Sequence, residues 1–123
     1  IKIKTDKKEI ELKPYLFFIS NSGLIGYNLS LTPEAPLDDG QLHLLYTDKM
    51  SFTEKLLFIY SVVTKSVLKS DNIHRTKFES LELFSTSKEK FLIQIDGESV
   101  LTKKSTLLIS IKKKALQVLV PKP

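Results

Sequence analysis

The stretch FLIQIDGE, residues 91–98, decides how the rest of the sequence is interpreted. Its first five positions are mostly apolar and include two isoleucines, which is typical of a buried or half-buried strand. The run ends at Asp96 and Glu98, so two carboxylates stand at the tip of a rigid element. Gly97 between them allows a positive φ and removes the Cβ that would keep a ligand or another backbone away. Because Asp-Gly is also a favoured turn pair, a simple β-turn is the alternative interpretation.

Short β patterns recur on both sides of this stretch. At the N-terminus, IKIK (residues 1–4) and EIEL (residues 9–12) alternate around a polar turn and predict a hairpin with one buried face. Tyr15 to Ile19 is continuous in apolar residues, which predicts a central strand. Further strands are predicted at residues 41–47, 78–86, 91–96, 107–111 and 116–120.

One segment has the periodicity of a helix. Ser51 to Glu54 is a capping-box pattern, and the helix that it begins is predicted to end near Lys69. Its apolar stripe is predicted to cover a sheet face, with a helix lying on a membrane as the alternative. The predicted fold is therefore mainly β, an antiparallel β-sandwich with one inserted amphipathic helix at about residues 51–69. The stripe consists of Phe52, Leu56, Ile59, Tyr60, Val63 and Val67.

Length and composition bound the remaining possibilities. A chain of 123 residues predicts a single domain over residues 1–123, large enough to bury a core without disulfides or a metal. The absence of cysteine excludes thiol chemistry and cysteine-ligated zinc, and it suits a reducing cytoplasm. The longest apolar stretch, around residues 56–63, is much shorter than the roughly 20 residues that cross a bilayer.

The charge of the chain argues against nucleic acid as a partner. Nineteen basic and fourteen acidic residues give a net charge of +5, but Arg75 is the only arginine. DNA readers use arginine forks, and RNA modules interleave aromatic with basic residues. Lysine clusters at residues 103–104 and 112–114 suit a weak attraction to an anionic membrane, and a solvated lysine-rich surface is the alternative.

The loop TPEAPLDDG, residues 32–40, is the candidate cation site. Its carboxylates and sharply bent backbone could bring together the oxygen ligands that a hard cation prefers, and an ordinary turn is the alternative. His43 and His74 are interpreted as strand or surface residues because neither has a partner at motif spacing. The sequence contains neither a Ser-His-Asp order nor a glycine-rich phosphate loop.

Several motifs occur in one order along the chain. They are Asn21 followed by Gly26, TPEAPLDDGQL (residues 32–42), the helix with Asn72-Ile73-His74 after it, IDGE (residues 95–98) and KKKALQVLVP (residues 112–121). In order and spacing this set resembles the C-terminal half of the diacylglycerol kinase and sphingosine kinase superfamily of lipid kinases. The likeness is greatest to the bacterial enzymes of this superfamily, which phosphorylate a membrane lipid hydroxyl with ATP.

The resemblance implies a two-domain enzyme of which this chain is the second domain. The N-terminal α/β domain of such kinases carries a GGDGT-type nucleotide loop, which these 123 residues lack. The C-terminal β-sandwich helps to bind the lipid and closes the active-site cleft. We therefore expect ATP to be bound mainly by an N-terminal domain, the isolated chain to be inactive, and the enzyme to be cytoplasmic and peripheral to the inner face of the membrane.

The resemblance also implies roles for individual residues. Glu98 matches the glutamate that accepts the proton of the lipid hydroxyl, and Asp96 would orient it or contact the metal. Asp39 matches a carboxylate that binds a structural Mg²⁺. Main-chain oxygens of Pro36 and Gln41 would be the remaining protein ligands of this ion.

The remaining cleft candidates are Asn21, Gly26 and Gly97. Where many members have successive glycines, Gly26 is followed here by Tyr27, whose side chain would narrow the cleft. The alternative function is a free-standing β-sandwich that binds lipid or protein, in which Asp96 and Glu98 are only turn residues. The residues do not select among diacylglycerol, sphingoid base and phosphatidylglycerol as the lipid, and they do not indicate an oligomeric state.

Overall fold

The fold is mainly β, as the sequence predicts. The computed structural model describes residues 1–5, 8–25, 29–36 and 38–115. Within them the chain forms β1 (Lys2–Thr5), β2 (Glu9–Glu11), β3 (Leu16–Ser20), β4 (Leu42–Thr47), α1 (Phe52–Thr64), β5 (Ile73–Phe78), β6 (Ser80–Phe84), β7 (Leu92–Ile95), β8 (Glu98–Leu101) and β9 (Thr106–Ser110).

Two antiparallel sheets form the sandwich. One has the order β2-β1-β6-β9 and the other the order β3-β4-β5, while β7 and β8 form a separate two-stranded sheet. The main core draws its buried side chains from both larger sheets, so these sheets pack face to face. The fully or almost fully buried members of this core are Ile3, Leu42, Leu44, Phe78, Leu81 and Leu83.

Strand β4 is buried on both faces. Leu42 and Leu44 point into the sandwich core. Leu45 points the other way, because side chains alternate along a strand, and joins Phe58 of α1 in a second core cluster. The helix therefore covers the outer face of the three-stranded sheet, and β4 lies at the centre of a sheet–sheet–helix arrangement.

Two strand predictions are wrong in detail. Tyr15 to Ile19 was expected to be central, but β3 lies at the edge of its sheet within the described residues, and β4 occupies the centre. The predicted strand at residues 78–86 is divided, because β5 ends at Phe78 and β6 begins at Ser80. The sequence IHRTKF of β5 was not predicted because its charged residues mask the alternation. The strand predicted at residues 116–120 lies outside the described residues.

The capping box of α1 is confirmed, but the helix is shorter than predicted. The backbone N–H of Ser51 donates to Glu54 Oε2 at 2.8 Å, and the Glu54 N–H donates to Ser51 Oγ at 3.3 Å. The helix ends at Thr64, and Lys65 follows with a φ of 54°. The β-branched run at residues 62–64 has low helix propensity, which favours this early end over Lys69. No helix in the described part of the chain has the length and apolar content that crossing a bilayer requires.

The helix covers a sheet face, as predicted, but it does so through Phe58. Its apolar stripe, which was expected to make this contact, faces solvent. Phe52 is 74% exposed and Tyr60 is 67% exposed, and the rest of the stripe is also exposed. The buried residues of the helix are Phe58 and Ser61. Periodicity shows that residues share a face of a helix, but it does not show which face meets the sheet.

Glu54 joins the start of the helix to the chain that enters β5. The side chain of Asn72 donates to Glu54 Oε1 at 2.8 Å, and the Ser70 hydroxyl donates to the same oxygen at 3.4 Å. These bonds and, above all, the backbone N–H of Ser51 lower the pKa of Glu54 from 4.5 to about 2. The Asn72 of the sequence motif therefore has a structural role at the helix N-terminus.

This lowered pKa makes stability depend on acid pH through Glu54. Because the folded pKa lies below the unfolded one, the stabilisation is complete above about pH 4.5 and is lost as the pH falls to about 2. We expect Glu54→Gln to lower the denaturant midpoint at pH 7 and to have much less effect at pH 2.5. Urea unfolding at both pH values measures this difference. Glu9→Gln on exposed β2 is the control, and an equal Glu54→Gln effect at both pH values would contradict the assignment.

Leu44 tests the position of the sandwich core. It is 1% exposed, so we expect Leu44→Ala to lower the free energy of unfolding by about 2–5 kcal/mol through lost burial and the cavity left behind. Leu108→Ala is the matched control, since Leu108 is 63% exposed and its change should stay within about 0.5 kcal/mol. Similar losses for the two variants in urea unfolding would refute the arrangement of the sheets.

Candidate functional site

The IDGE motif forms the tip of a β-hairpin. Ile95 pairs with Glu98 across β7 and β8, so Asp96 and Gly97 are the two residues of the loop. Their φ angles are 49° and 96°, and two positive values are what a type I′ hairpin turn requires. A Cβ added at Gly97 would meet no atom within 4 Å, so the backbone angle, and not a lack of space, explains the glycine. The turn interpretation is confirmed, and it leaves a carboxylate on each side of Gly97.

Both carboxylates of the hairpin are exposed. Among the described residues, neither the Asp96 nor the Glu98 carboxylate has a hydrogen-bond or ion-pair partner. The turn itself is braced by Gln94, whose side-chain N–H donates to the carbonyl of Gly97 at 3.3 Å. An unpaired carboxylate on a braced turn can accept a hydrogen bond from a ligand hydroxyl without first breaking a protein contact.

The hairpin projects from the sandwich and is anchored at its base. Phe91 packs against the main core, and its backbone N–H donates to Thr102 Oγ1 at 2.8 Å. Further along, Leu92 is 75% exposed and Ile95 is also exposed, so the prediction of a buried or half-buried strand is wrong for these two residues. The reason is that, among the described residues, Phe91 is the apolar residue of this run that packs against the main core, while β7 and β8 are exposed along most of their length.

Asp39 is the centre of a second polar group. Its Oδ1 accepts the backbone N–H of Gln41 at 2.9 Å. Its Oδ2 accepts the ammonium of Lys77 at 3.2 Å and lies 3.1 Å from His43 Nε2. The bond from Gln41, followed by those from His43 and Lys77, lowers the pKa of the Asp39 carboxyl below its ordinary value. Asp39 is therefore charged and well compensated at neutral pH.

Strand register assembles this group at one end of the three-stranded sheet. His43 of β4 is opposite Lys77 of β5 on one side and opposite Ser20 of β3 on the other. Asn21 directly follows Ser20, so it leaves the sheet at the same end. Gly40, with a φ of 67°, turns the loop so that Asp39 folds back over His43.

Sequence reasoning missed two members of this group, His43 and Lys77. His43 is a strand residue, as interpreted, but it is buried and it contacts Asp39. The spacing of four residues between Asp39 and His43 could have indicated their contact, since both lie at one loop–strand junction. Lys77 is 38 residues from Asp39, and only the pairing of β4 with β5 brings them together.

A neighbouring ion pair connects the 32–36 loop to β5. Arg75 Nε lies 3.4 Å from Glu34 Oε1, and Arg75 Nη1 donates to the carbonyl of Leu68 at 3.0 Å. A cavity of about 220 Å³ is lined by Glu34, His43, Arg75 and Lys77 among others. A larger cavity, of about 650 Å³, lies on the helix side of the sheet near Leu68. Residues of the β7–β8 hairpin line neither cavity.

The predicted site residues thus fall into two groups. Asp39 and Gln41 are in direct contact, and Asn21 lies at the same sheet end. Pro36 is exposed, and Gly26 and Tyr27 lie outside the described residues. The second group is the hairpin with Asp96, Gly97 and Glu98. Within the described ranges, no hydrogen bond or ion pair joins the hairpin to the Asp39 group.

The described groups that contact the Asp39 carboxylate are the Gln41 N–H, the Lys77 ammonium and the His43 ring. Of the carboxylate and main-chain oxygens that Mg²⁺ prefers, the described contacts therefore show only the carboxylate. The described residues contain no cluster of three or more acidic, histidine or cysteine side chains that could hold a metal. Lys77 already supplies positive charge at Asp39 Oδ2. A cation at Asp39 would therefore compete with the Lys77 ammonium.

Comparison with known proteins gives the family. Residues 1–120 match the profile of the YegS C-terminal NAD kinase beta sandwich-like domain. The chain belongs to this family. The resemblance to the C-terminal domain of the diacylglycerol kinase and sphingosine kinase superfamily is confirmed at this level. No curated protein matches the chain.

Two solved structures from Bacillus anthracis strain Sterne share the fold of this YegS-type domain. One is described provisionally as a diacylglycerol kinase, with a TM-score of 0.66 and 22% identity over 89% of this chain. The other, described as a diacylglycerol kinase, has a TM-score of 0.64 and 22% identity over 89% of this chain. The chain spans 37% and 39% of the lengths of these two proteins.

Proposed function

We propose that this chain is the C-terminal domain of an ATP-dependent lipid kinase, in which it helps to bind the lipid and supplies the catalytic base. The observation that carries the proposal is the position of Glu98. It lies in the IDGE motif of a kinase-associated domain family, at the tip of a braced hairpin, with a carboxylate that no described residue engages.

Phosphoryl transfer makes few chemical demands on such a domain. The reaction needs a positioned hydroxyl, neutralised phosphate charge and a base within hydrogen-bond reach of the nucleophile. Glu98 takes the proton of the lipid hydroxyl while the hydroxyl oxygen attacks the γ-phosphorus of ATP and ADP leaves. Asp96, on the other side of Gly97, orients the lipid or the base. ATP is the co-substrate and is bound mainly by an N-terminal nucleotide-binding domain, since these 123 residues contain no glycine-rich nucleotide loop.

The substrate determines where the enzyme works. A lipid hydroxyl is presented at a membrane surface, and ATP is present in the cytoplasm, so the proposed enzyme is cytoplasmic and peripheral to the inner face of the membrane. The net charge of +5 on this chain is suited to an anionic leaflet.

Glu98→Gln tests the catalytic role. The amide keeps the size of the side chain but cannot accept the proton, so we expect turnover by the complete protein to fall by about 10²–10⁴-fold. The measurement is phosphate transfer from radiolabelled ATP to diacylglycerol, sphingosine and phosphatidylglycerol in mixed micelles, with thermal unfolding to show that the fold is intact.

Glu9→Gln is the matched control, since Glu9 is an exposed strand carboxylate far along the chain from the hairpin. It should keep full activity. Near-normal turnover by Glu98→Gln would refute the catalytic role and favour the alternative of a β-sandwich that binds lipid or protein without catalysis.

The same proposal includes a structural Mg²⁺ held by Asp39 and by main-chain oxygens of Pro36 and Gln41. When bound, it would take the place of the Lys77 ammonium at Asp39 Oδ2 and would tie the 32–41 loop to the sheet. Support comes from the Asp39 carboxylate, whose pKa is lowered and beside which Lys77 already places a positive charge, so that positive charge is favourable at this position.

Lys77→Met tests the magnesium proposal. Removing the ammonium frees Asp39 Oδ2, so we expect the rise in melting temperature produced by 10 mM MgCl₂ to be larger in Lys77→Met than in the unmodified protein. Asp39→Asn should abolish this rise. Lys90→Met, which removes an exposed lysine elsewhere, is the control. If MgCl₂ stabilises Asp39→Asn as much as the unmodified protein, Asp39 is not a ligand.

A further inference from the structure

The stripe of α1 is a continuous apolar surface that faces solvent in the part of the chain that the structure describes. Five large side chains of one helix face are between about half and three quarters exposed: Phe52, Leu56, Ile59, Tyr60 and Val63. At 3.6 residues per turn they fall within an arc of about 100°. Phe58 and Ser61, which face the sheet, lie on the opposite side of the helix. A contiguous exposed apolar surface of this kind marks an interaction site.

We propose that α1 is the membrane-docking element of this protein and lies along an anionic lipid surface with this stripe among the acyl chains. This inference rests on the proposed function for its biological purpose, because it states which element brings a lipid kinase to its substrate. The physical argument for docking depends on the helix alone.

The charges around the stripe favour an anionic lipid surface. Residues 49–69 contain four lysines and one acidic residue, a net charge of +3, and with the flanking Asp48 and Asp71 the charge over residues 48–71 is +1. The single acidic residue, Glu54, is held by Ser51, Ser70 and Asn72 at the helix N-terminus. Lys55 lies within α1, and Lys49, Lys65 and Lys69 flank it in sequence. An apolar helix face accompanied by lysines is the pattern of helices that lie in the membrane interface.

Tyr15 extends this surface next to the helix. It is 61% exposed, and the Lys55 ammonium lies 4.8 Å from the centre of its ring. The pair places an aromatic ring and a cation together at α1. Tyrosine and lysine are both favoured at the level of lipid headgroups, where an apolar body and a polar end are solvated together.

A second copy of the chain fits the stripe less well. Two α1 faces that packed together would bring two segments of net charge +3 into contact, and like charges oppose such pairing. The anionic headgroups of a bilayer would instead attract these lysines, because their charges are opposite. Each lysine near such a surface is expected to add roughly fivefold to the affinity at low salt.

Vesicle co-sedimentation of the complete protein without ATP tests the inference. We expect binding to phosphatidylglycerol–phosphatidylcholine vesicles that weakens with added salt and is much lower on pure phosphatidylcholine. The double variant Phe52→Ser/Ile59→Ser should bind the mixed vesicles at least about tenfold more weakly, because both side chains lose their apolar insertion. Leu108→Ser, which alters a leucine that is equally exposed on β9, should bind like the unmodified protein.

Three results would overturn the inference. The first is unchanged vesicle affinity of the double variant. The second is a large fall in its melting temperature that Leu108→Ser does not share, because the stripe would then pack against another part of the protein. The third is a change from dimer to monomer in the double variant by analytical ultracentrifugation, which would make a second copy the occupant.

Vesicle binding also separates this inference from the proposed function. Glu98→Gln should bind vesicles normally, because the hairpin carboxylate is not part of the stripe. If the double variant keeps its vesicle affinity while Glu98→Gln is inactive, the docking inference fails and the kinase proposal stands. If the double variant loses affinity while Glu98→Gln is fully active, docking stands and the catalytic role of Glu98 fails.

Discussion

The burial of β4 on both of its faces is the constraint on which the rest of the structure depends. Leu44 is in the core between the two sheets, and Leu45, the next residue, is in the core between the sheet and α1. One strand therefore holds three layers together. Its two neighbours, β3 and β5, are aligned by it, and that alignment places His43 opposite Lys77 at the sheet end where Asp39 closes the loop. The position of the candidate cation site is thus a consequence of core packing.

The two groups of candidate functional residues differ in whether their carboxylates have partners within the described part of the protein. Asp39 is half-buried, bonded through both oxygens and compensated by Lys77, which suits a fixed structural role. Glu98 is exposed on a hairpin that is anchored only at its base, and its carboxylate is unengaged among the described residues, which suits contact with a ligand from outside. We infer a division between a compensated sheet end and a hairpin tip that we propose to be catalytic. The exposed stripe of α1 adds a third surface.

Local patterns predicted most of the elements because their causes are local. The capping box at Ser51 and the Asp96-Gly97 turn each depend on a few neighbouring residues and were found where expected. β5 was missed because its sequence, IHRTKF, shows no clear alternation of apolar residues. Its charged side chains instead have partners that are distant in sequence, such as Glu34 for Arg75. The family motifs located the candidate residues, and the partners His43 and Lys77 could not be paired with Asp39 without the strand register.

By itself, the sequence determined the β-rich class, the helix start, the hairpin turn at Asp96-Gly97 and membership of a kinase-associated domain family. Each of these follows from backbone preferences of nearby residues or from an ordered set of motifs. Only the tertiary structure decided which side of α1 faces the sheet. A stripe of apolar residues has the same periodicity in a core as on a membrane. Which face meets the sheet depends on how well Phe58 packs against Leu45 of β4 and Ile73 of β5, and no pattern within the helix records this fit.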